Sequence, residues 1–306
     1  MRFNSLFSGL LVLLVLVASI SAAAQQQAIE NRVVTASDYD GSCDLDRLVK
    51  NDLYQQEIST PGLDPDRISI LNWNIYKGQR DNWATDFKRY SYSHDVVTIQ
   101  EAHLGDELES LLDDEHPYWA LNAAFSYQDK ATGVMTASSV KPAYTCGQRT
   151  TEPLIRTPKT SLIGYYPVEG MDEHLLVANI HGINFSLGVA AYNEQIEKLY
   201  DLMKHHQGPV VLAGDFNTWS DKRLQIVEAL AQRLSLSSLD YTSHNRTSVF
   251  GNALDHVFYR GLEPVEHDTW HVTSSDHNPT RVSFRVKSYY LSGNEFAVNE
   301  IDENNC

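Results

Sequence analysis

Basic residues are scarce in this chain. Its 306 residues carry 24 Lys and Arg against 40 Asp and Glu, a formal net charge of −16. Such acidity argues against a protein that holds nucleic acid by bulk electrostatics. It does not exclude an enzyme that meets a phosphodiester briefly through a bound cation. Cysteine is rare too, and three of them are too few for a disulfide scaffold. There is no internal repeat, which removes solenoids and propellers. Beyond the first 24 residues no run is long and apolar enough to read as a membrane span. What remains, 42% apolar and 21% charged, is the composition of a globular chain rather than a disordered one.

The two ends differ from the middle. Arg2 supplies a positive start, Leu10 to Ala18 a short apolar run, and Ala22-Ala23-Ala24 small residues before Gln25. This is the pattern of a secretory signal over residues 1–24, cleaved after Ala24. An uncleaved N-terminal membrane anchor is the alternative. Export, to a periplasm or the exterior, would place Cys43, Cys146 and Cys306 in an oxidising compartment. A Cys43–Cys146 bridge is then expected, with Cys306 free or intermolecular. Residues 25–66 form an acidic extension of nine acids and three bases, ending in a linker-like Pro61–Asp66. Residues 289–306 form an acidic tail with four acids and no base. The span 67–288 is left near −7.

That middle span alternates strands and helices. Strands are expected at 68–76, 95–102, 134–144, 160–168, 174–182, 209–217, 253–260, 270–273 and 280–286. Helices are expected at 104–114, at 193–206, and after Ser220 as N-cap with Leu224, Val227, Leu230 and Leu234 on one face. The pattern predicts an α/β fold, a layered sandwich.

The polar residues of interest share one position: each comes where an apolar strand run ends, the usual place for a site in α/β folds. Asn72-Trp73-Asn74 ends the first run, and a buried Asn there needs partners. Gln100-Glu101 ends the second; a carboxylate behind Val-Val-Thr-Ile must be exposed, paired or bound to a hard cation such as Mg²⁺. His181 follows Val-Ala-Asn-Ile and can donate to a phosphate oxygen or protonate a leaving group. Asp215 and Asn217 follow Val-Val-Leu-Ala-Gly and point to one face. Asp255 lies inside an apolar strand, where an imidazole is its natural partner. Asp276 and His277 precede Pro279 in a turn that can bring both to one site. Taken singly, each has an ordinary structural reading as a turn residue or solvated strand end; taken together they suggest one centre.

In this order the blocks WN (73–74), QE (100–101), NIH (179–181), GDFN (214–217), LDHVFY (254–259) and SDHNP (275–279) resemble the endonuclease/exonuclease/phosphatase superfamily. The longer stretches NWNIYKGQR, NIHGINFSLGV and GPVVLAGDFNTWS are most similar to its YafD-like branch. The resemblance implies a four-layer α/β sandwich, two mixed β-sheets flanked by helices, with 67–288 as the catalytic domain. It implies divalent-metal-dependent phosphate-ester hydrolysis, with Mg²⁺ or Mn²⁺ as cofactor. Glu101 would bind the metal and Asn74 would help set the metal or phosphate. Asp215 would orient or deprotonate water, and Asn217 would hold a non-bridging oxygen. His181 and His277 would bind phosphate or shuttle protons. Asp255 and Asp276 would orient the imidazoles, with Asp276 also within reach of the metal. One departure is Tyr76, where AP endonucleases have an Asp; it weakens a second metal site and an abasic-site role.

Three functions compete. The first is an exported nuclease-like phosphodiesterase, monomeric, with nucleic acid as substrate. The second applies the same chemistry to a phospholipid or another small phosphodiester. The third is a catalytically dead binding module, disfavoured by six intact blocks. Lys141, Arg149, Arg156 and Lys159 against Glu152 give residues 141–160 a charge of +3, and Arg156 and Lys159 are candidate phosphate contacts. Lys88, Arg89, Lys222 and Arg223 read as surface. No apolar insertion of the kind a lipid-surface enzyme uses is evident in 67–288, so the nuclease-like reading leads.

Overall fold

The computed structural model describes residues 33–34, 43, 61–112, 115–241 and 245–291. The expected signal segment and Cys306 lie outside the described residues. In chain order the strands are β1 (Val33–Val34), β2 (Ile68–Asn74), β3 (Val96–His103), β4 (Tyr118–Tyr127), β5 (Lys130–Ser138), β6 (Tyr144–Thr151), β7 (Pro158–Tyr166) and β8 (Leu175–His181). They continue as β9 (Val210–Asp215), β10 (Ser237–Ser238), β11 (Ser248–Val249), β12 (Asn252–Ala253), β13 (Asp255–Arg260), β14 (Leu262–Thr269) and β15 (Thr280–Val286). The helices are α1 (Trp83–Ser91), α2 (Asp106–Leu112), α3 (Ala190–Met203), α4 (Asp221–Arg233) and α5 (Ser288–Leu291).

Two mixed sheets form, one in the order β1-β4-β5-β3-β2-β15-β14 and the other β10-β13-β9-β8-β7-β6, with a small ribbon β11-β12. Side-chain alternation decides how they stack. Ile68 and Ile70 face inward and meet Val177, Val211 and Val257 of the second sheet. Leu71 and Trp73 face outward and pack beneath α1 and α2 with Phe87 and Leu108. On the second sheet, Ile180 and Leu212 face outward against Tyr192, Ile196 and Val227 of α3 and α4. Helix, sheet, sheet, helix is the four-layer sandwich expected from the resemblance.

The inner face changes character along β2. After Ile68 and Ile70 the same face presents Asn72 and Asn74. The Asn72 Oδ1 accepts from Thr98 Oγ1 and Gln100 Nε2, both at 2.9 Å. Gln100 Nε2 also donates across the sheets to Asn179 Oδ1 at 2.7 Å, and Asn179 Nδ2 donates back to the Met135 carbonyl at 2.8 Å. These bonds supply the partners that a buried Asn72 requires.

Several expectations are corrected. Trp270–Thr273 is not a strand; the segment before it, β14, is. Its sequence LEPVEHDT hides this, since Pro264 and its charges read as loop. A proline is tolerated because β14 is an edge strand and its register shifts between Pro264 and Glu266. Trp270 instead stacks on Tyr90, with ring centroids 4.5 Å apart. Residues 134–144 are the end of β5 and the turn into β6, and α1, β4 and β6 add to the expected elements. Pro61–Asp66 is not a linker: Leu63 is buried and bridges Val168, and the Pro65 carbonyl accepts from Val286 N. Ser220 is the N-cap of α4 by backbone geometry, but its hydroxyl makes no capping bond. The Cys43–Cys146 disulfide is present and closes a separation of 103 residues. No helix among the described residues is long and apolar enough to cross a membrane.

Arg223 is not a surface residue. It is 0% exposed, and its guanidinium lies 4.6 Å from the Tyr192 ring and 4.3 Å from the Trp219 ring. It donates to the carbonyls of Ile183, Asn217 (3.0 Å) and Asn184 (2.9 Å) and to Ser186 Oγ (3.0 Å). It therefore braces the loop after β8 against the turn after β9. Arg223→Leu should destabilise the protein by about 3 kcal/mol, because three buried carbonyls lose their donor; urea unfolding checks this, and a change below about 0.5 kcal/mol would refute the bracing role.

Burial also holds the imidazoles of His94, His206 and His256 down to about 4 from 6.5. Above pH 6.5 these rings are neutral whether folded or not. As pH falls from 6.5 toward 4, the unfolded chain takes up protons that the native rings refuse, so stability is lost. Each ring contributes a slope of about 1.4 kcal/mol per pH unit across that window. Thermal melting against pH should show a Tm that drops steadily below pH 6.5; a constant Tm between pH 6.5 and 4 would contradict it.

Candidate active site

Strand register builds the centre. Parallel pairing of β8 with β9 sets His181 opposite Asp215. Antiparallel pairing of β13 with β9 sets Asp255 on the other side of Asp215. Neighbouring strands run about 4.8 Å apart, so three functional residues from three strands arrive at one level. Gly214 lets β9 press this close: a Cβ there would lie 2.1 Å from the Ile180 carbonyl oxygen.

Asp215 is the hub, 1% exposed. Its Oδ2 accepts from Asn74 Nδ2 at 3.0 Å and lies 3.4 Å from His181 Nε2 and 3.7 Å from His277 Nε2. Its Oδ1 accepts from the Asn217 N–H at 3.0 Å. Asn74 belongs to the opposite sheet, so this bond joins the two sheets at the site. Burial raises the Asp215 carboxyl above its ordinary value, and the nearby His277 and Lys159 oppose that shift. Asn217 sits at φ +50°, a left-handed turn position that asparagine tolerates. Its side-chain N–H groups donate to the Gly182 carbonyl at 3.0 Å and to Asp215 Oδ2 at 3.4 Å. In this structure Asn217 thus positions Asp215 rather than offering its amide hydrogens to a phosphate oxygen.

His277 donates from Nδ1 to Asp255 Oδ2 at 2.8 Å. Burial alone would lower its pKa, but the Asp255 and Asp215 carboxylates outweigh burial and raise it to about 10. The ring is therefore an imidazolium at neutral pH. Its loop is pinned by Trp73 Nε1 to the His277 carbonyl (2.9 Å) and by Ser275 Oγ to the Asn74 carbonyl (2.6 Å). Asp276 is exposed and orients neither imidazole; its carboxylate takes a 3.4 Å contact from Ser275 Oγ.

Glu101 stands at the mouth. It lies in a β-bulge between β3 and β5, where Ile99 pairs with Met135 and Ala102 with Gly133. Its φ is +52°, uncommon for a residue with a side chain and a mark of local strain. The carboxylate pairs with Lys77, and its other oxygen is 4.0 Å from His181 Nε2. Lys77 and Tyr76 are also left-handed, at φ +58° and +50°. His181 Nε2 accepts from Lys159 Nζ at 2.7 Å. Burial, then the Lys159 charge, hold His181 well below its ordinary value, so it is neutral. Burial likewise lowers Lys159.

Carboxylates crowd this centre, and ligand atoms of Asp215, Asp255 and His277 lie within 4.8 Å of one another. His277 Nδ1 and Asp255 Oδ2 are committed to each other, while Asp255 Oδ1 is buried with no hydrogen-bond partner. Oxygen-rich donors of this kind suit a hard divalent cation. His277, protonated and bonded to Asp255, offers a cation no lone pair; Glu101, a partly exposed carboxylate at the mouth, with Asn74 paired to the adjoining Gln100, fits the implied metal.

The structure brings together Asn74, Glu101, Lys159, His181, Asp215, Asn217, Asp255 and His277. Arg156 is exposed on the β6–β7 turn and has no bond to these groups among the described contacts. Lys77 is the cation that sequence reasoning missed, although it lies inside the NWNIYKGQR stretch. Glu152 was missed as well. It is fully buried, and its Oε1 accepts from the Asn184 and Phe185 N–H groups at 2.5 and 2.6 Å. It clamps the β6–β7 turn to the loop after β8. A cavity of about 250 Å³ opens there, lined by Lys77, Glu101, Lys159 and His181 on one side and by Ile155 and Phe185 on the other. Leu154, Ile155, Phe185 and Leu187 on these two loops are 54%, 51%, 51% and 85% exposed. The apolar element that no single stretch of sequence showed is assembled from two loops. A larger hollow of about 500 Å³ lies beyond Lys77, but no acid–imidazole group of the centre lines it.

Solved structures with this fold are distant in sequence. The human Nocturnin catalytic domain with bound sulfate is 15% identical, covering 75% of this chain and 97% of that one, with a TM-score of 0.59. Danio rerio TDP2 complexed with single-strand DNA product is 16% identical over 71% and 98%, with a TM-score of 0.55. A mannosyl-6-phosphatase of Bacteroides thetaiotaomicron is 16% identical over 71% and 99%, with a TM-score of 0.53. The model of the Endonuclease/Exonuclease/phosphatase family matches residues 71–277, which holds every residue of the centre. This chain belongs to the Endonuclease/Exonuclease/phosphatase family.

Proposed function

We propose that the protein is an exported, divalent-metal-dependent phosphodiesterase that works by in-line attack of water. The observation that carries this is the chain of contacts Asp255–His277–Asp215, in which His277 Nδ1 donates to Asp255 Oδ2 at 2.8 Å and turns its Nε2 toward the buried Asp215 carboxylate. A base and an acid thus face one another across 3.7 Å in the free site. Asp215 takes a proton from the attacking water as its oxygen bonds to phosphorus. The opposite P–O ester bond breaks, and His277 Nε2–H faces the oxygens that gain charge, where it can protonate the leaving alkoxide. Asn74 and Asn217 fix the Asp215 carboxylate for this transfer. Lys77 and Lys159 place positive charge beside the phosphoryl oxygens, and neutral His181 holds Lys159 in place. Glu101, with Asn74 alongside, would hold the Mg²⁺ or Mn²⁺, which supplies charge neutralisation at phosphorus when bound.

The first 24 residues and the Cys43–Cys146 bridge support export. The proteins of similar fold range from TDP2 with a single-strand DNA product to a mannosyl-6-phosphatase, which favours phosphate esters without choosing one. The nuclease-like form draws its support from the basic segment 141–160, of which Lys159 meets the catalytic groups. The phospholipid form draws support from the exposed apolar side chains at the cavity mouth.

Asp215→Asn and Glu101→Gln should each lower the hydrolysis of bis(p-nitrophenyl) phosphate by about 10³-fold while the folded state persists. EDTA should silence the native enzyme, and Mg²⁺ or Mn²⁺ should restore it. Undiminished turnover in either variant, or in EDTA, would sink the assignment.

A further inference from the structure

The loops at the cavity mouth expose more apolar surface than the chemistry needs. Ile155 and Phe185 line the cavity, but Leu154 and Leu187 do not, and Leu187 is 85% exposed. Isolated exposed leucines are ordinary; four large apolar side chains on two adjoining loops beside one site are a patch. The fold holds this patch outward. The buried Glu152 ties the two loops to each other through the Asn184 and Phe185 N–H groups. The buried Arg223 grips the Ile183 and Asn184 carbonyls and Ser186 from below. Trp219 Nε1 adds a 3.0 Å bond to Asn184 Oδ1. Two buried charges are thus committed to a loop whose own large side chains stay in water.

The charge pattern says what would cover them. In a chain with 40 acids, residues 153–160 and 182–192 contain none, while Arg156 and Lys159 supply two bases. An apolar tip with Arg156 exposed on it, Lys159 in the cavity beneath and no carboxylate of its own suits a surface that is apolar inside and phosphate-bearing outside. A nucleic acid offers no apolar surface to aliphatic side chains such as Leu154 and Leu187, and an apolar protein face offers no phosphate to the cavity beside them.

We infer that the Leu154–Ile155 turn and the Phe185–Leu187 loop form a lipid-surface docking site that presents a headgroup phosphodiester to the cavity of Lys77, Glu101, Lys159 and His181. This rests on the phosphodiesterase reading for its substrate, but the docking itself is measurable without turnover. The test uses the mature chain, residues 25–306, with its disulfide intact, in EDTA, pelleted with phosphatidylcholine vesicles and with vesicles that also carry phosphatidylserine. The wild type should partition to vesicles, and a Leu154→Ser/Leu187→Ser double variant should bind about tenfold more weakly. Because neither leucine lines the cavity, that variant should keep its Tm and its turnover of soluble bis(p-nitrophenyl) phosphate. A wild type that stays in the supernatant overturns the docking site, as does a variant that pellets equally well. A dimer that is lost in the variant, without vesicle binding, would assign the patch to a second copy and also overturn it. Vesicle binding without any diester turnover would leave the docking site standing and remove the phosphodiesterase reading instead.

Discussion

The bond on which the arrangement depends is the Gln100 to Asn179 contact across the two sheets. Apolar side chains fill the inter-sheet space further back, but apolar packing has no direction and would tolerate a slip of one sheet over the other. An amide that must meet an amide at 2.7 Å does not. Gln100 lies one residue before Glu101, and Asn179 two residues before His181. Anchoring these two residues sets where Glu101 of one sheet and His181 of the other can stand. The Asn74–Asp215 bond repeats the device one step nearer to solvent. The site is therefore the polar end of an inter-sheet seam whose other end is the hydrophobic core.

The seam also explains the electrostatics. Carboxylates and imidazoles placed at the edge of a core lose most of their hydration, so their neighbours decide their charge. Burial works against the charge on both rings: it leaves His181 neutral, with the Lys159 charge at 2.7 Å adding to it, whereas the Asp255 bond and the nearby Asp215 outweigh it at His277. Two histidines of the same fold thus take opposite protonation states within one pocket. Their difference comes from which strand each follows: β8 leads its histidine toward the Lys159 of β7, whereas the turn before β15 leads the other toward β13.

Much of this was readable because functional residues follow apolar strand runs. Val-Val-Leu-Ala-Gly before Asp215 and Val-Ala-Asn-Ile before His181 announce both a buried strand and a polar residue at its end. Asp255 announced a partner by its cost inside an apolar strand. What sequence could not show is where a charge finds distant partners. Arg223 reads as helix surface, yet it is buried because three carbonyls from 183, 184 and 217 converge on it. Glu152 reads as one acid among forty. Lys77 became visible only once the left-handed turn at 76–77 brought it to Glu101. The apolar patch was invisible for the same reason: its halves are about thirty residues apart, and neither is an apolar run by itself. Asp276, adjacent to His277, drew attention by its neighbour, but the turn sends it outward.

The Cys43–Cys146 bridge has a consequence for how the chain behaves as a covalent object. It turns residues 43 to 146 into a closed ring that includes Asn74 and Glu101 but neither His181, Asp215, Asp255 nor His277. A single cut in the turn between β4 and β5, at Gln128–Asp129, would put Asn74 and Glu101 on one piece and the other four on the second, yet open the ring without separating the pieces. Both pieces would still travel as one molecule until a reductant reached the bond. In an oxidising compartment rich in proteases, such a molecule can be nicked and still keep its two halves of the site joined.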